Sequence, residues 1–451
     1  MDLSGCFKAY DVRGRVPDEL NPESVYRIGR AYADWLRPRR VAVGRDVRQS
    51  SLELSRALIR GLTDAAVNVL DIGLCGTDGV YFATFSQQLD GGIMVTASHN
   101  PMDYNGLKFV REKSIPVSGD TGLPEIRALA ESGRFPESAH RGTVRDFDIW
   151  PSYRRHLRSF VERENLRALK IVSNAGNGGA GLAVDLIAQD LPHTIVRLHH
   201  EPDGNFPNGV PNPMLEENRA VTSRAVLEHG ADLGIAFDGD YDRCFFFDEQ
   251  GRFIDGYYII GLLASVFLAR QPGSRILHDP RVTWNTIDIV REAGGTPVIC
   301  KSGHAFMKQK MREVDAVYGG EMSAHHYFRD FGYCDSGMAP WLLVAQLMCQ
   351  SGMPLSALVD ARIKKFPSSG EINRTLARHQ PAIEAVRQRY LPGAVSTEEI
   401  DGLSVEFEHW RFNLRSSNTE PLLRLNVESR GDEALMREKT AEILRFLESW
   451  A

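Results

Sequence analysis

The sequence predicts an α/β protein: three successive α/β domains with mixed, largely parallel sheets, then a C-terminal α+β domain, arranged around a central cleft. Three observations predict it. The chain has 451 residues, enough at roughly 150 per domain for several domains. Helix-period and strand-period segments alternate from the start. From residue 366 the pattern changes to strands that alternate apolar with polar, closed by one amphipathic helix. The expected domains are 1–145, 146–248, 249–365 and 366–451.

The first domain opens with a helix whose Val25, Ile28, Tyr32 and Trp35 share a face, followed by the strand VAVG and the helix SLELSRALIRGL. VNVLDIG, the helix TDGVYFATF and the strand GGIMVTAS follow, with Ser98 at that strand's carboxyl end and a loop-rich stretch from 112 to 150. The second series runs LKIVSN, LAVDLIAQ, TIVRLHH and ADLGIAFD, ending at Asp238. The third uses CFFFD, the helix YYIIGLLASVFL, RILHD, a helix over 284–293, TPVICK and DAVYGGE, ending at Glu321. In the last domain LSVEF and LLRLNVE should each have one wet face, and a helix carrying Met436, Thr440, Ile443 and Leu447 on one side should cover the dry one. Open α/β sheets bind ligands beyond the carboxyl ends of their strands, and three such ends here carry polar motifs, which is the reason to expect a shared cleft.

Composition narrows the function. With 53 basic and 59 acidic residues the net charge is −6, the wrong sign for bulk recruitment of nucleic acid. The greasy run Tyr257 to Ala269 is shorter than the roughly 20 residues that span a bilayer, so it is expected to be a buried helix, with no membrane partner. The opening MDLSGCFKAYDVRGR is charged where a secretory signal needs an apolar stretch, which predicts a cytoplasmic protein. Six cysteines without a CxxC pair predict reduced, mostly buried thiols. The sequence leaves the oligomeric state open.

Several motifs carry chemistry, each beside a blander reading. TASHNPMDYNGLKF sets a serine on a turn after an apolar strand, where it suits a nucleophile and equally a strand-ending turn. A hydrolase triad is disfavoured: GxSxG is missing, and a histidine adjacent in sequence generally points away from its neighbour. DGDYDR converges Asp238, Asp240 and Asp242 on one point, hard oxygen ligands suited to Mg²⁺, with a solvated acidic turn as the alternative. An EF-hand match fails because Arg243 stands where glycine is required and strands flank the loop. GNGGAG at 176–181 satisfies the dinucleotide fingerprint, with Glu201 about 20 residues on, and so raises a NAD-linked oxidoreductase; a tight βα turn with no ligand satisfies it too. GEMSAHHYF offers a carboxylate, a hydroxyl and two histidines, and RSSNTEP a guanidinium among hydroxyl and amide groups, as a phosphate clamp or a polar turn would. KAYDVRG and KSGHAF add loop cations, and no Gly-Lys P-loop occurs.

In this order KAYDVRG, TASHNP, DGDYDR, GEMSAHH and RSSNTEP resemble the α-D-phosphohexomutase family over essentially the whole chain. DGNFPNGVPNP, HDPRVTWNT and YGGEMSAHHYFRDF look most like its bacterial phosphomannomutase branch, which supplies GDP-mannose for surface polysaccharide. The resemblance implies reversible exchange between mannose 6-phosphate and mannose 1-phosphate, with a phosphohexose as the small-molecule partner. It implies catalysis through a phosphoserine at Ser98 and activation by a hexose 1,6-bisphosphate. Mg²⁺ would be held by Asp238, Asp240, Asp242 and the Ser98 phosphate, with Arg243 assisting. Glu321 and Ser323 would hold the sugar's 3- and 4-hydroxyls, and Arg415, Ser417, Asn418 and Thr419 the phosphate not in transit. Tyr10, Arg13, His99, Lys108, His304 and His325 match other cleft positions, the last four containing the general acid and base.

Two residues depart from the family pattern: Tyr241 stands where many members have a second glycine in the metal loop, and Arg281 where others have lysine. Arginine is a poor proton shuttle, so Arg281 is expected to act only electrostatically. No residue is identifiable as a reader of the 2-hydroxyl, which keeps a phosphoglucomutase or dual-specificity mutase as the alternative. A sugar-phosphate binding protein without catalysis is the non-enzymatic one.

Overall fold

The computed structural model describes residues 1–376, 378–416 and 422–450. These form two compact units: Met1–Phe253 with His325–Gly352, and Ile254–Ala324 with the described residues from Met353 onward.

The first unit begins with a mixed sheet in the order Val12–Arg15, Tyr104–Arg111, Gly91–Val95, Arg40–Arg45, Asn68–Leu74, Val144–Asp146. Its middle strands are parallel, as helical crossovers require, and Tyr104–Arg111 joins antiparallel. The helix Pro22–Leu36 starts on an Asn21 capping box with proline at its first position, and buries Val25, Ile28 and Tyr32. Tyr32 stacks on Phe109 of the sheet. The expected loop-rich stretch needs correcting, because it contains the helix Leu123–Ser132 and the strand Val144–Asp146. That helix buries only Leu123, Ile126 and Ala130, an apolar stripe too short to stand out between Gly122 and Gly133.

A second sheet places Leu233–Phe237 between Cys244–Phe247, antiparallel, and Lys170–Asn174, parallel, with Thr194–Leu198 outside. Leu233–Phe237 is buried throughout, so its carboxyl end delivers Asp238 into the interior. His326–Phe328 pairs antiparallel with Cys334–Asp335 in the same unit.

In the second unit Arg275–His278 runs parallel to both Thr296–Ile299 and Tyr318–Gly320. The helix Gly256–Arg270 is buried along most of its length, as its composition predicted. The C-terminal sheet is wholly antiparallel, in the order Ile372–Arg374, Leu423–Ser429, Trp410–Ser416, Leu403–Glu406, Ser396–Glu398. The helix Glu433–Glu448 covers it, burying Met436, Thr440, Ile443 and Leu447.

The expected wet face of that sheet is dry. Arg411, Asn413, Asn426 and Glu428 are buried, because Glu428 accepts from Arg411 Nη1 at 2.8 Å and the Thr283 amide at 2.6 Å and is also bonded by the Tyr257 hydroxyl. Alternation reports which residues face one way; the ion pair of Arg411 with Glu428 lets these two face protein instead of solvent. Among the described residues no single helix is long and apolar enough to cross a membrane, and none of the six cysteines forms a disulfide.

Candidate active site

Within the first unit the turn after Gly91–Val95 holds Ser98 at φ +49°, a left-handed conformation uncommon for serine. The Ser98 amide donates to Thr96 Oγ1 at 2.9 Å, and its carbonyl accepts from Arg48 Nη2 at 2.8 Å. The Arg48 guanidinium also bonds the carbonyls of Asn100, Pro101 and Tyr104, so one buried cation fastens the whole turn. Asp46 in turn accepts from the Arg48 amide and from the hydroxyls of Ser51 and Thr96. Sequence reasoning missed both residues; the signal was RDVR directly after the strand VAVG, at a strand end beside the serine turn.

Ser98 Oγ donates to Asp238 Oδ2 at 2.7 Å. Its other neighbour is His99 Nδ1 at 3.2 Å, which corrects the expectation that an adjacent histidine turns away: strand alternation does not survive a left-handed residue. Arg243 Nη2 lies 2.6 Å from the same Nδ1 and Arg243 Nε 2.9 Å from Asp238 Oδ2. Because guanidinium can only donate, His99 Nδ1 accepts and the ring carries its proton on Nε2. Burial, with the nearby charges of Arg243 and Arg13, holds the His99 pKa well below the ordinary imidazole range.

The acidic loop is equally dry. Lys108 Nζ sits 2.6 Å from Asp240 Oδ2 and 2.7 Å from Asp242 Oδ2. Burial opposes its charge, but the two carboxylates win and raise its pKa. Burial likewise opposes ionisation of Asp240, yet Lys108 and the Thr77 hydroxyl keep it below the usual carboxylate range, whereas burial and the Asp240 charge push Asp242 well above it. Arg13 donates from Nε to Asp11 at 2.8 Å and bonds Asn100, beside the serine turn. Tyr10 is half-buried just before that strand. His325 Nε2 lies 3.6 Å from Asp242 Oδ1, and the backbones of Arg243 and His325 form a β-bridge. Asp335, which sequence reasoning also missed, offers a carboxylate oxygen within 4.8 Å of Asp242 and His325.

The donor set fits a hard divalent cation. Asp238, Asp240 and Asp242 present carboxylate oxygens within 4.8 Å of one another, and Asp240 Oδ1 is buried without a hydrogen-bond partner among the described residues. All-oxygen chemistry and an open acceptor are what Mg²⁺ completes.

Of the two departures from the family pattern, Tyr241 has a local physical account. Tyr241 has φ +43°, the conformation a glycine would take without strain, and its ring is buried against Gly76, where an added Cβ would lie 2.4 Å from it. The glycine turn 176–181 packs under this loop: a Cβ on Gly178 would meet Gly239 O at 3.1 Å, one on Gly179 the Tyr241 ring at 3.1 Å, and one on Gly181 His200 O at 2.4 Å. Its glycines make room for protein, which accounts for the fingerprint without a nucleotide.

In the second unit Glu321 Oε1 accepts from the Gly303 amide at 2.7 Å, beside the start of the helix His304–Val314 that carries His304. Arg281 spans Asp279 Oδ2 at 2.6 Å, Ser323 Oγ at 3.5 Å and Glu371 Oε2 at 3.4 Å. Arg415, buried at the end of Trp410–Ser416, donates to Glu371 Oε2 at 3.0 Å. Ser417, Asn418 and Thr419 lie outside the described residues.

Comparison with known proteins adds the family. The phosphoglucomutase/phosphomannomutase α/β/α domain models I, II and III match residues 4–137, 151–251 and 255–366, and the C-terminal domain model matches 371–445. A phosphomannomutase of Escherichia coli is 57% identical over 450 residues, 98% of this chain and 99% of that protein. The phosphohexose mutases of Xanthomonas campestris pv. campestris strain B100 are 58% identical over 447 residues, again 98% of this chain and 99% of theirs. The crystal structure of a phosphoglucomutase/phosphomannomutase family protein from Burkholderia thailandensis superposes with a TM-score of 0.90 at 32% identity, covering 100% of this chain and 98% of that one.

Proposed function

The chain belongs to the phosphoglucomutase/phosphomannomutase family, a family of magnesium-dependent mutases, and from that premise we propose that it interconverts mannose 6-phosphate and mannose 1-phosphate through a phosphorylated Ser98. The enzyme is an isomerase-class mutase acting on phosphosugars. A hexose 1,6-bisphosphate is both its intermediate and its activator, and its mannose 1-phosphate supplies GDP-mannose synthesis. The observation that carries the reading is Ser98 Oγ at 2.7 Å from Asp238, first of three convergent carboxylates.

Ser98, Asp238, Asp240 and Asp242 would hold the Mg²⁺, which supplies charge neutralisation to a phosphoryl group moving on or off Ser98. Lys108 and Arg243 bring permanent positive charge to the same place, and Arg243 keeps His99 in one tautomer. Lys108 lies between two carboxylates and His99 Nδ1 faces Arg243. The general acid and base lie among His99, Lys108, His304 and His325. Tyr10 and Arg13 complete the substrate-binding set, Glu321 and Ser323 take the sugar hydroxyls, and Arg415 with Ser417, Asn418 and Thr419 takes the distal phosphate. We assign these parts to domains at 1–145, 146–248, 249–365 and 366–451.

The test is direct. Mannose 1-phosphate with Mg²⁺ and a trace of bisphosphate should yield mannose 6-phosphate, with Ser98→Ala inactive; saturable binding without isomerisation would leave only a sugar-phosphate binding protein. The similarity to phosphohexose mutases favours one further reading, dual specificity, which a comparable turnover of glucose 1-phosphate would establish.

A further inference from the structure

Glu371 belongs to no motif, yet it occupies the centre of the phosphate-binding half of the second unit. Its side chain is only 8% exposed and lies among three guanidiniums: Arg415 Nη2 at 3.0 Å, Arg424 Nη1 at 3.0 Å and Arg281 Nη1 at 3.4 Å. Burial opposes its charge, but the three cations, Arg281 foremost, hold its carboxyl below the usual glutamate range, so it stays ionised. Its two oxygens are thus divided, Oε1 to Arg424 and Oε2 to Arg415 and Arg281.

We propose that Glu371 is a positioning residue for phosphate recognition: it fixes Arg415 in the orientation that receives the substrate's distal phosphate, and ties it through Arg281 to the sugar-binding loop at Ser323. This rests on the phosphosugar reading above. Arg415 Nε is buried without a hydrogen-bond partner among the described residues, and the Asp401 carboxylate lies 4.0 Å from it. A buried, unanswered guanidinium N–H is costly unless a ligand answers it, and a phosphate oxygen is a suitable acceptor. Glu371 takes the Nη2 edge and leaves Nε open. Without it, three cations would face one another and Arg415 would lose the anchor that sets its direction.

The same geometry gives Arg281 its purpose. A lysine has one nitrogen and cannot reach Asp279, Ser323 and Glu371 together, whereas the planar fork does so with two. Arg281 therefore belongs with Glu371, as a brace between the sugar loop and the phosphate clamp.

Steady-state kinetics on the full-length enzyme test this, with calorimetric binding of mannose 6-phosphate as a second readout. Glu371→Gln should raise KM for mannose 1-phosphate by about tenfold while kcat stays within about threefold, and should weaken mannose 6-phosphate binding by the same factor. Ser98 should still become phosphorylated at saturating bisphosphate, because the clamp sets affinity and not the transfer itself. In an Arg415→Ala background, Glu371→Gln should raise KM no further, since it acts through that arginine. Glu371→Asp, with the charge kept and the reach shortened, should fall between the parent and Glu371→Gln, and it provides the test should the glutamine variant fail to fold. An unchanged or lowered KM, a fall in kcat alone, or additive losses in the double variant would each overturn the proposal. If the parent isomerises no hexose phosphate, the functional reading fails, and Glu371 is then judged by the binding measurement alone, where equal affinities of parent and variant overturn it.

Discussion

Ser98 and its neighbours show how much chemistry depends on a single backbone angle. At φ +49° the serine hydroxyl meets Asp238, the ring of the next residue folds back towards it, and Arg48 holds the strained turn by four carbonyls. Arg48→Ala should therefore lower kcat on the order of 10²-fold through misplacement of Ser98, since small errors in position have that cost. Far-ultraviolet circular dichroism should remain that of the parent. A variant with normal kcat would remove Arg48 from the site. The motifs made Ser98, the three aspartates and Arg243 legible because carboxylates at every second position after a buried strand are rare without a purpose. Asp46 and Arg48 left only a polar run at a strand end, and Asp335 and Glu371 were not legible, because they act through partners distant in the chain and no local pattern announces a long-range contact.

At the scale of elements, strands and loops divide the labour. The acidic loop follows a strand buried on both faces, and the glycines of 176–181 make room for it. Removing divalent cations with a chelator should abolish turnover and readdition of Mg²⁺ should restore it, because three buried carboxylates and a phosphoserine cannot be neutralised by Lys108 and Arg243 alone. Full turnover in metal-free enzyme would contradict that. The closing helix makes a second prediction: Ile443→Ala, at a fully buried position, should cost about 2–5 kcal/mol in denaturant unfolding, whereas alanine at exposed Glu438 should cost little. Equal effects would mean that the helix does not cover the core. Periodicity exposed this helix, with its buried residues spaced three and four apart, but concealed Leu123–Ser132, whose stripe spans two turns, and misjudged the C-terminal sheet, whose alternating polar residues are buried by Glu428 and its partners.

Over the whole molecule, buried histidines set the response to acid. Burial lowers the pKa of His326 to about 3 and, as its largest cause, that of His193 to about 4. The unfolded chain takes up these protons near the ordinary value of 6.5, the folded one only further down, so between those limits the unfolded state binds more protons and stability falls with pH. The contribution is present above about pH 6.5 and lost towards pH 3. Asp78, raised by burial to about 7, works in the opposite direction as pH falls, so the contribution of His326 is isolated by comparison. His326→Gln should show a shallower loss of melting temperature between about pH 6.5 and 4 than the parent, and parallel curves would contradict the assignment.

In the proposed reaction a phosphoryl group resides on Ser98 and passes from there to the sugar. Intact-protein mass spectrometry before and after treatment with hexose 1,6-bisphosphate and Mg²⁺, combined with peptide mapping, measures this. The parent should gain one phosphate, mapped to Ser98 and lost on addition of excess mannose 1-phosphate, and Ser98→Ala should gain none. Equal labelling of parent and variant, or a parent that isomerises mannose 1-phosphate while never carrying phosphate at Ser98, would contradict it.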